Sequence, residues 1–392
     1  MDHKKIKLLY LVSHPIQYQA PLLRHLNQEE TIDLQVLFRQ DLSAGAYDKG
    51  FGCEVKWDTP LLEGYSYQYV TTEKQNNNSK TLALIRRLLE SSYDVIWLHG
   101  YSKPSDLLAI IISKLKGAKV LVRGESVNQF AHGSSLKRFV RPLFFKLLNC
   151  FVDGYLAIGT ENRNFYKKKG VSNRKIFAAP YTVDNQFFQQ AAERCKEKRA
   201  DLRASLDLAK GRPVILYASK MQQRKHAGDL LEAYIRLSSK ESLITPPYLL
   251  FIGDGEMRPT LEARAAEAGL DSVRFLGFKN QSELPAYFDL CDVFVLPSVR
   301  ENWGLIVNEV MNAGAVVIVS DQVGCAVDLV DSGVNGIIYP ARKLDALTDA
   351  LYQVLSDSDR LKKMGEKSLQ RISQWGIPET ATGIVEAVKR VS

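Results

Sequence analysis

VFVLPSVRENWGLIVNEVMNAGAVVIVSD, Val293 to Asp321, is the stretch from which the fold is read. It opens on Val293–Leu296, a short apolar run of the β-branched and aromatic kind that fills buried strands. Pro297 and Ser298 end that run, and Gly304 stands where a helical stretch begins. A second apolar run, Ala315–Ser320, follows directly. The order strand, helix, strand predicts parallel pairing, because parallel neighbours need a crossover and a helix supplies it.

The same scheme extends in both directions. In the second half RPVILYAS (Arg212–Ser219), YLLFIGDG (Tyr248–Gly255), VRFLGF (Val273–Phe278) and GIIYP (Gly336–Pro340) read as strands, with helical segments between them. In the first half IKLLYLVS (Ile6–Ser13), IDLQVLF (Ile32–Phe38), DVIWLHG (Asp94–Gly100), AKVLVRG (Ala118–Gly124) and GYLAIG (Gly154–Gly159) do the same. The rhythm lapses after KIFAAPYTVDNQFFQQ, where Ala191–Gly211 is charged and helix-prone. These patterns predict an α/β chain of two Rossmann-like, doubly wound parallel-sheet domains. We place the first at 1–195, joined by a final helix of about 376–392, and the second at 196–375.

A chain of 392 residues is too long for one ordinary core, and 45% hydrophobic with 24% charged residues is a globular composition. The opening MDHKKIKLLYLVSHPIQYQ has a basic flank and an apolar run, but Ser13, His14 and Pro15 interrupt it, which favours a first strand over a leader. No stretch reaches the roughly eighteen apolar residues that a spanning helix needs, so the expectation is a soluble or peripheral protein. Five scattered cysteines without a C-x-x-C pair suggest free thiols and a cytoplasmic setting. The charge is uneven: residues 1–195 hold 27 Lys and Arg against 18 Asp and Glu, whereas 196–392 hold 25 against 26. Such a basic half fits an anionic partner or simply a solvated basic face.

In open parallel sheets ligands collect beyond the carboxyl ends of the strands. Glu301 and Glu309 follow one such end, eight positions apart. A helix opening at Gly304 leaves amides unpaired, so Asn302, Trp303, Gly304 and Leu305 form a candidate anion cradle. Glu309 in the second helical turn could then face a ribose and Glu301 a sugar, each carboxylate accepting two hydroxyls. On these residues alone, a helix cap for Glu301 and a surface or paired role for Glu309 stay open.

Val293–Asp321 resembles the E-x7-E signature of retaining glycosyltransferases, family 4 in particular, which have the two-domain GT-B fold with an interdomain cleft. YASKMQQRKHAGDLLEAY, Tyr217–Tyr234, is similar to that family's strand, basic loop and helix, in which two cations, here Lys220 and Lys225, clamp the donor diphosphate. The family more often has Arg where Lys220 stands; lysine neutralises phosphate as a point charge but cannot fork two oxygens. FIGDGEMRPTLE resembles the turn beside the nucleobase, with Gly253 and Gly255 allowing close approach, and the loop at Phe278 and Lys279 would flank the base. The resemblance covers nearly all of the second half and its closing SQWGIPETATGIVEAV.

The first half matches less closely. Where the family commonly has His at the end of a strand, this chain has Glu125, a sugar contact or base on one reading and a partner of Arg123 or a cap on the other. His14, Gln17, His99 and Arg123 lie near strand ends and are further candidates for acceptor or sugar contact. Ser134–Cys150 interleaves Lys137, Arg138, Arg141 and Lys146 with large apolar residues, which suits an anionic membrane surface or a half-buried helix that Pro142 interrupts. Asp357 and Asp359 sit among helical residues and read as a cap, and no clustered metal ligands are seen.

The resemblance implies a metal-independent hexosyltransferase needing no cofactor, with a nucleotide diphosphate sugar as donor, UDP-sugar ahead of GDP-sugar. Glu125, Glu301, Lys220 and Lys225 would carry the chemistry, with same-face attack and the leaving phosphate taking the acceptor's proton. The acceptor would be a glycan, a lipid-linked species or a small molecule. Competing readings are a GT-B nucleotide-sugar epimerase and a non-catalytic binding protein; nucleic acid is disfavoured, because the basic residues are spread over many helices.

Overall fold

The computed structural model describes residues 4–41, 46–48, 53–55, 58–71, 77–127, 135–239 and 246–392. The chain divides into two compact units, Met1–Gly45 with Thr59–Val183 and Ile377–Ser392, and Ala46–Asp58 with Asp184–Gly376. In chain order the first unit runs β1 (Ile6–Val12), α1 (Ala20–Asn27), β2 (Ile32–Phe38) and, after a short hairpin β3 (Ala46–Asp48) and β4 (Cys53–Val55) grouped with the second unit, β5 (Ser66–Tyr69) and α2 (Asn77–Glu90). It continues with β6 (Val95–His99), α3 (Pro104–Leu115), β7 (Lys119–Arg123), α4 (Ser135–Phe151), β8 (Gly154–Ala157), α5 (Thr160–Lys168) and β9 (Ile176–Ala178). The strands form one parallel sheet in the order β5-β2-β1-β6-β7-β8-β9.

Residues on β1 alternate between the sheet's faces, as the pleat requires. Leu8, Tyr10 and Val12 join one buried cluster, and Leu9 and Leu11 the other. The first cluster also takes Ala381, Ile384, Ala387 and Val388 from the chain's last helix, so the end of the chain completes the first unit's core. β5 and β9 are absent from the sequence reading. β5 is a mostly exposed Ser-Tyr-Gln-Tyr edge without an apolar run, and β9, Ile-Phe-Ala, is apolar but only three residues long, too short to read as a strand. Helix α4 passes through Pro142 without ending there.

The second unit opens with α6 (Asn185–Cys195) and α7 (Arg199–Ser205) and proceeds through β10 (Val214–Ala218), α8 (Ala227–Ser238), β11 (Tyr248–Ile252), α9 (Arg258–Glu267), β12 (Val273–Phe275) and α10 (Leu284–Leu290). There follow β13 (Val293–Leu296), α11 (Leu305–Met311), β14 (Val316–Ser320), α12 (Ala326–Leu329), β15 (Gly336–Tyr339), α13 (Leu344–Leu355) and α14 (Ser358–Ile372). The last helix, α15 (Ile377–Val391), returns to the first unit. The second sheet is parallel in the order β12-β11-β10-β13-β14-β15. α6, placed by the sequence at the end of the first domain, packs instead on α10, with the Phe188 and Phe288 rings 6.1 Å apart. Asp357 caps α14, accepting from the Asp359 and Arg360 amides.

Strand order reverses once in each sheet. In the first, β1 lies between β2 and β6; in the second, β10 lies between β11 and β13. Connections on the two sides of such a point leave toward opposite faces, so the carboxyl ends of β1 and β6, and of β10 and β13, flank a crevice within each unit.

Candidate active site

In the second unit the residues beyond β10 and β13 meet. Lys225 follows β10 in a tight 3-10 turn and is 8% exposed; its ammonium donates to a carboxylate oxygen of Glu301, in the loop after β13. Two backbone-directed bonds hold the loops together: the Val299 amide donates to the Arg224 carbonyl at 3.1 Å, and the Arg224 guanidinium to the Arg300 carbonyl at 3.1 Å. Burial lowers the pKa of Lys225, Glu301 opposes that shift, and Arg224 and Lys220 add to it. Lys220 stands in the same loop, between the end of β10 and the start of α8. Two cations and a carboxylate thus share one strand-end site.

The glycines shape the walls. Gly253 has φ +116, and a Cβ there would stand 2.2 Å from the Ser219 carbonyl oxygen, so only glycine lets the β11 loop lie on the backbone before Lys220. The Gly253 amide donates to the Gly277 carbonyl at 2.8 Å, which ties the loop carrying Phe278 and Lys279 to the same edge. Lys279 reaches Glu283 at 3.4 Å and stands over the Tyr287 ring.

Gly304, at φ +100, is the residue from which α11 starts; the Val307 amide donates to its carbonyl at 2.9 Å, and the amides of Leu305 and Ile306, ahead of it, have no preceding helical turn to supply acceptors. Glu309 lies in the second turn of α11, buried, with no hydrogen bond or ion pair to its carboxylate among the described residues. Burial alone pushes its pKa up to about 8. Glu301 does not cap the helix. Its amide and carbonyl pair instead with Gln322 and Gly324, which fixes the loop against the segment after β14. The Asn302 carbonyl packs on Gly324. The Trp303 indole is turned inward, donating to Asn308 at 2.9 Å and stacking on Trp375, so at that position only the backbone is left for a ligand.

The first unit has its own cluster at the β1 and β6 ends. His99 Nδ1 is 2.9 Å from both the Tyr10 hydroxyl and Gln19 Nε2, while its Nε2 is 3.2 Å from Glu125 and 3.3 Å from the Tyr181 hydroxyl. Tyr181 also donates to Glu125. Burial works to raise the Glu125 pKa, but His99, Tyr181 and Arg123 outweigh it and hold the carboxyl below its ordinary value. Arg123 is itself buried; its guanidinium donates to the Ala179 carbonyl at 3.0 Å and lies over the Tyr181 ring, so it acts from behind the cluster. His14 is 2.9 Å from the Ser13 hydroxyl, and burial, with His99 and Lys103 nearby, lowers its pKa below the ordinary imidazole value. Gln17 Oε1 is buried without a hydrogen-bond partner among the described residues. A cavity of about 550 Å³ opens beside Ser13, with Arg39, Lys80 and Lys103 in its walls.

Sequence reasoning missed Tyr10, Gln19 and Tyr181. Gln19 lies in the loop after β1 and could have been found by position; Tyr181 follows β9, a strand too short to be read. Among the described residues no group of three or more His, Cys, Asp or Glu side chains is arranged to hold a metal.

Residues 198–371 match the model of the glycosyl transferases group 1 family. Among curated proteins the chain is similar to an alpha-D-kanosaminyltransferase of Streptomyces kanamyceticus, 27% identical over 203 residues, covering 52% of this chain and 50% of that protein. It is also similar to a GDP-mannose-dependent alpha-(1-6)-phosphatidylinositol monomannoside mannosyltransferase of Mycobacterium tuberculosis, 27% identical over 306 residues and 74% of each chain. The match thus spans only about half the length of the first of these relatives. Among solved structures, Anabaena HepE in complex with UDP and glucose superposes with a TM-score of 0.72 over 98% of this chain and all of that one, at 16% identity. The second unit accordingly matches the glycosyl transferases group 1 over residues 198–371, and the two units together have the GT-B fold of solved glycosyltransferases.

Proposed function

We propose that the chain is a retaining, metal-independent glycosyltransferase of family 4 that moves a hexosyl group from a nucleotide diphosphate sugar to an acceptor hydroxyl. The observation that carries this reading is the Lys225–Glu301 contact at the strand-order reversal of the second unit, with Lys220 in the same β10–α8 loop as Lys225. In the free protein Glu301 supplies the negative charge that holds Lys225. A bound diphosphate would take over that charge and free Glu301 for the hydroxyls of the transferred sugar. Lys220, Lys225 and the first-turn amides of α11 would stabilise charge growing on the leaving phosphate, which needs no metal for that purpose. Glu309 would receive the ribose, and the Gly253 and Phe278–Lys279 loops would border the base. UDP in a protein of the same fold supports a UDP-sugar, although GDP-mannose appears in the name of a relative.

The first unit, with His14, Gln17, His99 and Glu125, is assigned to the acceptor, a glycan, lipid-linked or small molecule. The work would take place in the cytoplasm or at the inner face of the cell membrane. A melting panel of nucleotide sugars tests the donor. One nucleotide diphosphate sugar should stabilise the protein, Lys225→Ala should abolish the shift, and chelation should leave turnover unchanged. The anomeric configuration of the product, read by NMR, should equal that of the donor. Inverted product or strict metal dependence would overturn the mechanism, and epimerised donor formed without acceptor would overturn the reaction class.

A further inference from the structure

Twelve large hydrophobic side chains are exposed among the described residues, and eight of them lie on α2, α3 and α4: Leu82, Leu89, Leu108, Ile111, Leu115, Leu143, Leu147 and Phe151. These helices adjoin, α2 against α3 and α3 against α4, and cover one face of the first sheet. Their inner residues, such as Leu84, Leu88, Ile110 and Phe145, fill the core beneath. The outer residues are therefore a second apolar stripe on helices whose first stripe is already buried. Leu115 is 83% exposed and Leu82 67%. Isolated exposed leucines need no explanation, but eight on three neighbouring helices form a patch of the kind that marks an interaction surface.

Charge decides what the patch meets. Residues 77–151 hold 12 Lys and Arg against 4 Asp and Glu; of these cations Arg123 is buried and Lys80 and Lys103 line the cavity beside Ser13, while Arg86, Arg87 and Lys146 are exposed on α2 and α4. Of the four acids, Glu90 is paired with Arg86 and Asp106 with Arg39. Lys116 caps the end of α2 through the Leu88 and Leu89 carbonyls, and Lys114 binds Asp153, while Arg87 and Lys146 have no ion pair among the described residues. Apolar side chains between cations on one continuous face match the acyl chains and phosphates of an anionic bilayer. No described helix is long and apolar enough to cross a membrane, so the contact is one of lying on the surface.

We propose that the outer face of α2, α3 and α4 docks the protein on a lipid bilayer that carries anionic headgroups. The donor reading is independent of this face, and the two can fail separately. The test uses the full chain with vesicles rich in phosphatidylglycerol or made of phosphatidylcholine alone, measured by flotation. Binding is expected to the anionic vesicles and to fall steeply with added salt. Combined Ile111→Ser, Leu115→Ser and Leu147→Ser should reduce partition on the order of tenfold or more, and Arg87→Glu with Lys146→Glu should do likewise. Both variants should keep the wild-type melting temperature and the wild-type shift with uridine diphosphate, since every substituted side chain is exposed or lies outside the donor site. Equal binding to both vesicle types, or unchanged binding by the variants, would overturn the proposal. So would a concentration-dependent dimer that the serine variant dissolves, because a second copy would then be the occupant.

Discussion

Glu309 is the residue where folding and binding pull in opposite directions. Its carboxyl is buried without a cation, and desolvation holds its pKa near 8 against an ordinary value of 4.5. Between those values the folded protein retains a proton that the unfolded chain releases. The group therefore costs stability progressively as pH rises from 4.5 toward 8, by up to about 3 kcal/mol at pH 7. Glu309→Gln should remove that penalty and raise the melting temperature of the ligand-free protein above pH 7, with little change at pH 4.5. The same substitution should weaken uridine diphosphate binding about tenfold or more, because one amide oxygen replaces a carboxylate able to accept two hydroxyls. In the wild type, binding at pH 7 should release up to one proton, seen as a dependence of calorimetric enthalpy on buffer ionisation heat. A variant that is less stable and still binds fully would show that Glu309 serves the fold. Lys220, Lys225, Glu301 and Glu309 could be singled out in the sequence because the segments that carry them, Tyr217–Tyr234 and Val293–Asp321, resemble a family's motifs; on local pattern alone a solvated basic turn and a helix cap stayed open. The Tyr10, Gln19, His99, Glu125 and Tyr181 cluster was only half legible, since its members come from four segments up to 171 residues apart and nothing local announces their meeting.

Elements become readable when they are buried on both faces. β10, β11 and β14 are buried at every position and appear in the sequence as unbroken apolar runs. Edge strands such as β5 carry no such run, and a helix such as α4 can hold a proline that tertiary packing tolerates. The loops between readable strands depend on single glycines. Gly253 and Gly211 both have positive φ, +116 and +77, but only Gly253 has backbone within reach of an added Cβ, the Ser219 oxygen at 2.2 Å. Gly211→Ala should therefore lose about 1 kcal/mol from the backbone conformation alone. Gly253→Ala should lose more, on the order of 3 kcal/mol, because the β10 loop must also move. Since that loop carries Lys220, Gly253→Ala should reduce uridine diphosphate binding and Gly211→Ala should not. Urea unfolding with a binding isotherm on each variant checks both statements, and equal losses would contradict the steric account.

At the scale of the molecule, each unit has its own sheet and core, and the chain's two ends both belong to the first unit. α15 seals that unit: Gly383 lies so close to β9 that a Cβ would stand 1.6 Å from the Ala178 carbonyl oxygen, and Thr380 donates to the Pro180 carbonyl at 2.7 Å. A substitution at Gly383 should thus act on the first unit and one at Gly253 on the second. Calorimetry on Gly383→Ala should show a low-temperature transition that uridine diphosphate leaves in place, followed by one that the ligand raises. The ligand-dependent stabilisation should approach about 2.7 kcal/mol at a hundredfold excess over its dissociation constant. In Gly253→Ala the order should reverse, with the ligand-sensitive transition now the earlier. If uridine diphosphate instead raises the transition that Gly383→Ala lowers, the nucleotide binds the first unit, and the assignment of the donor to Lys220, Lys225 and Glu309 is wrong.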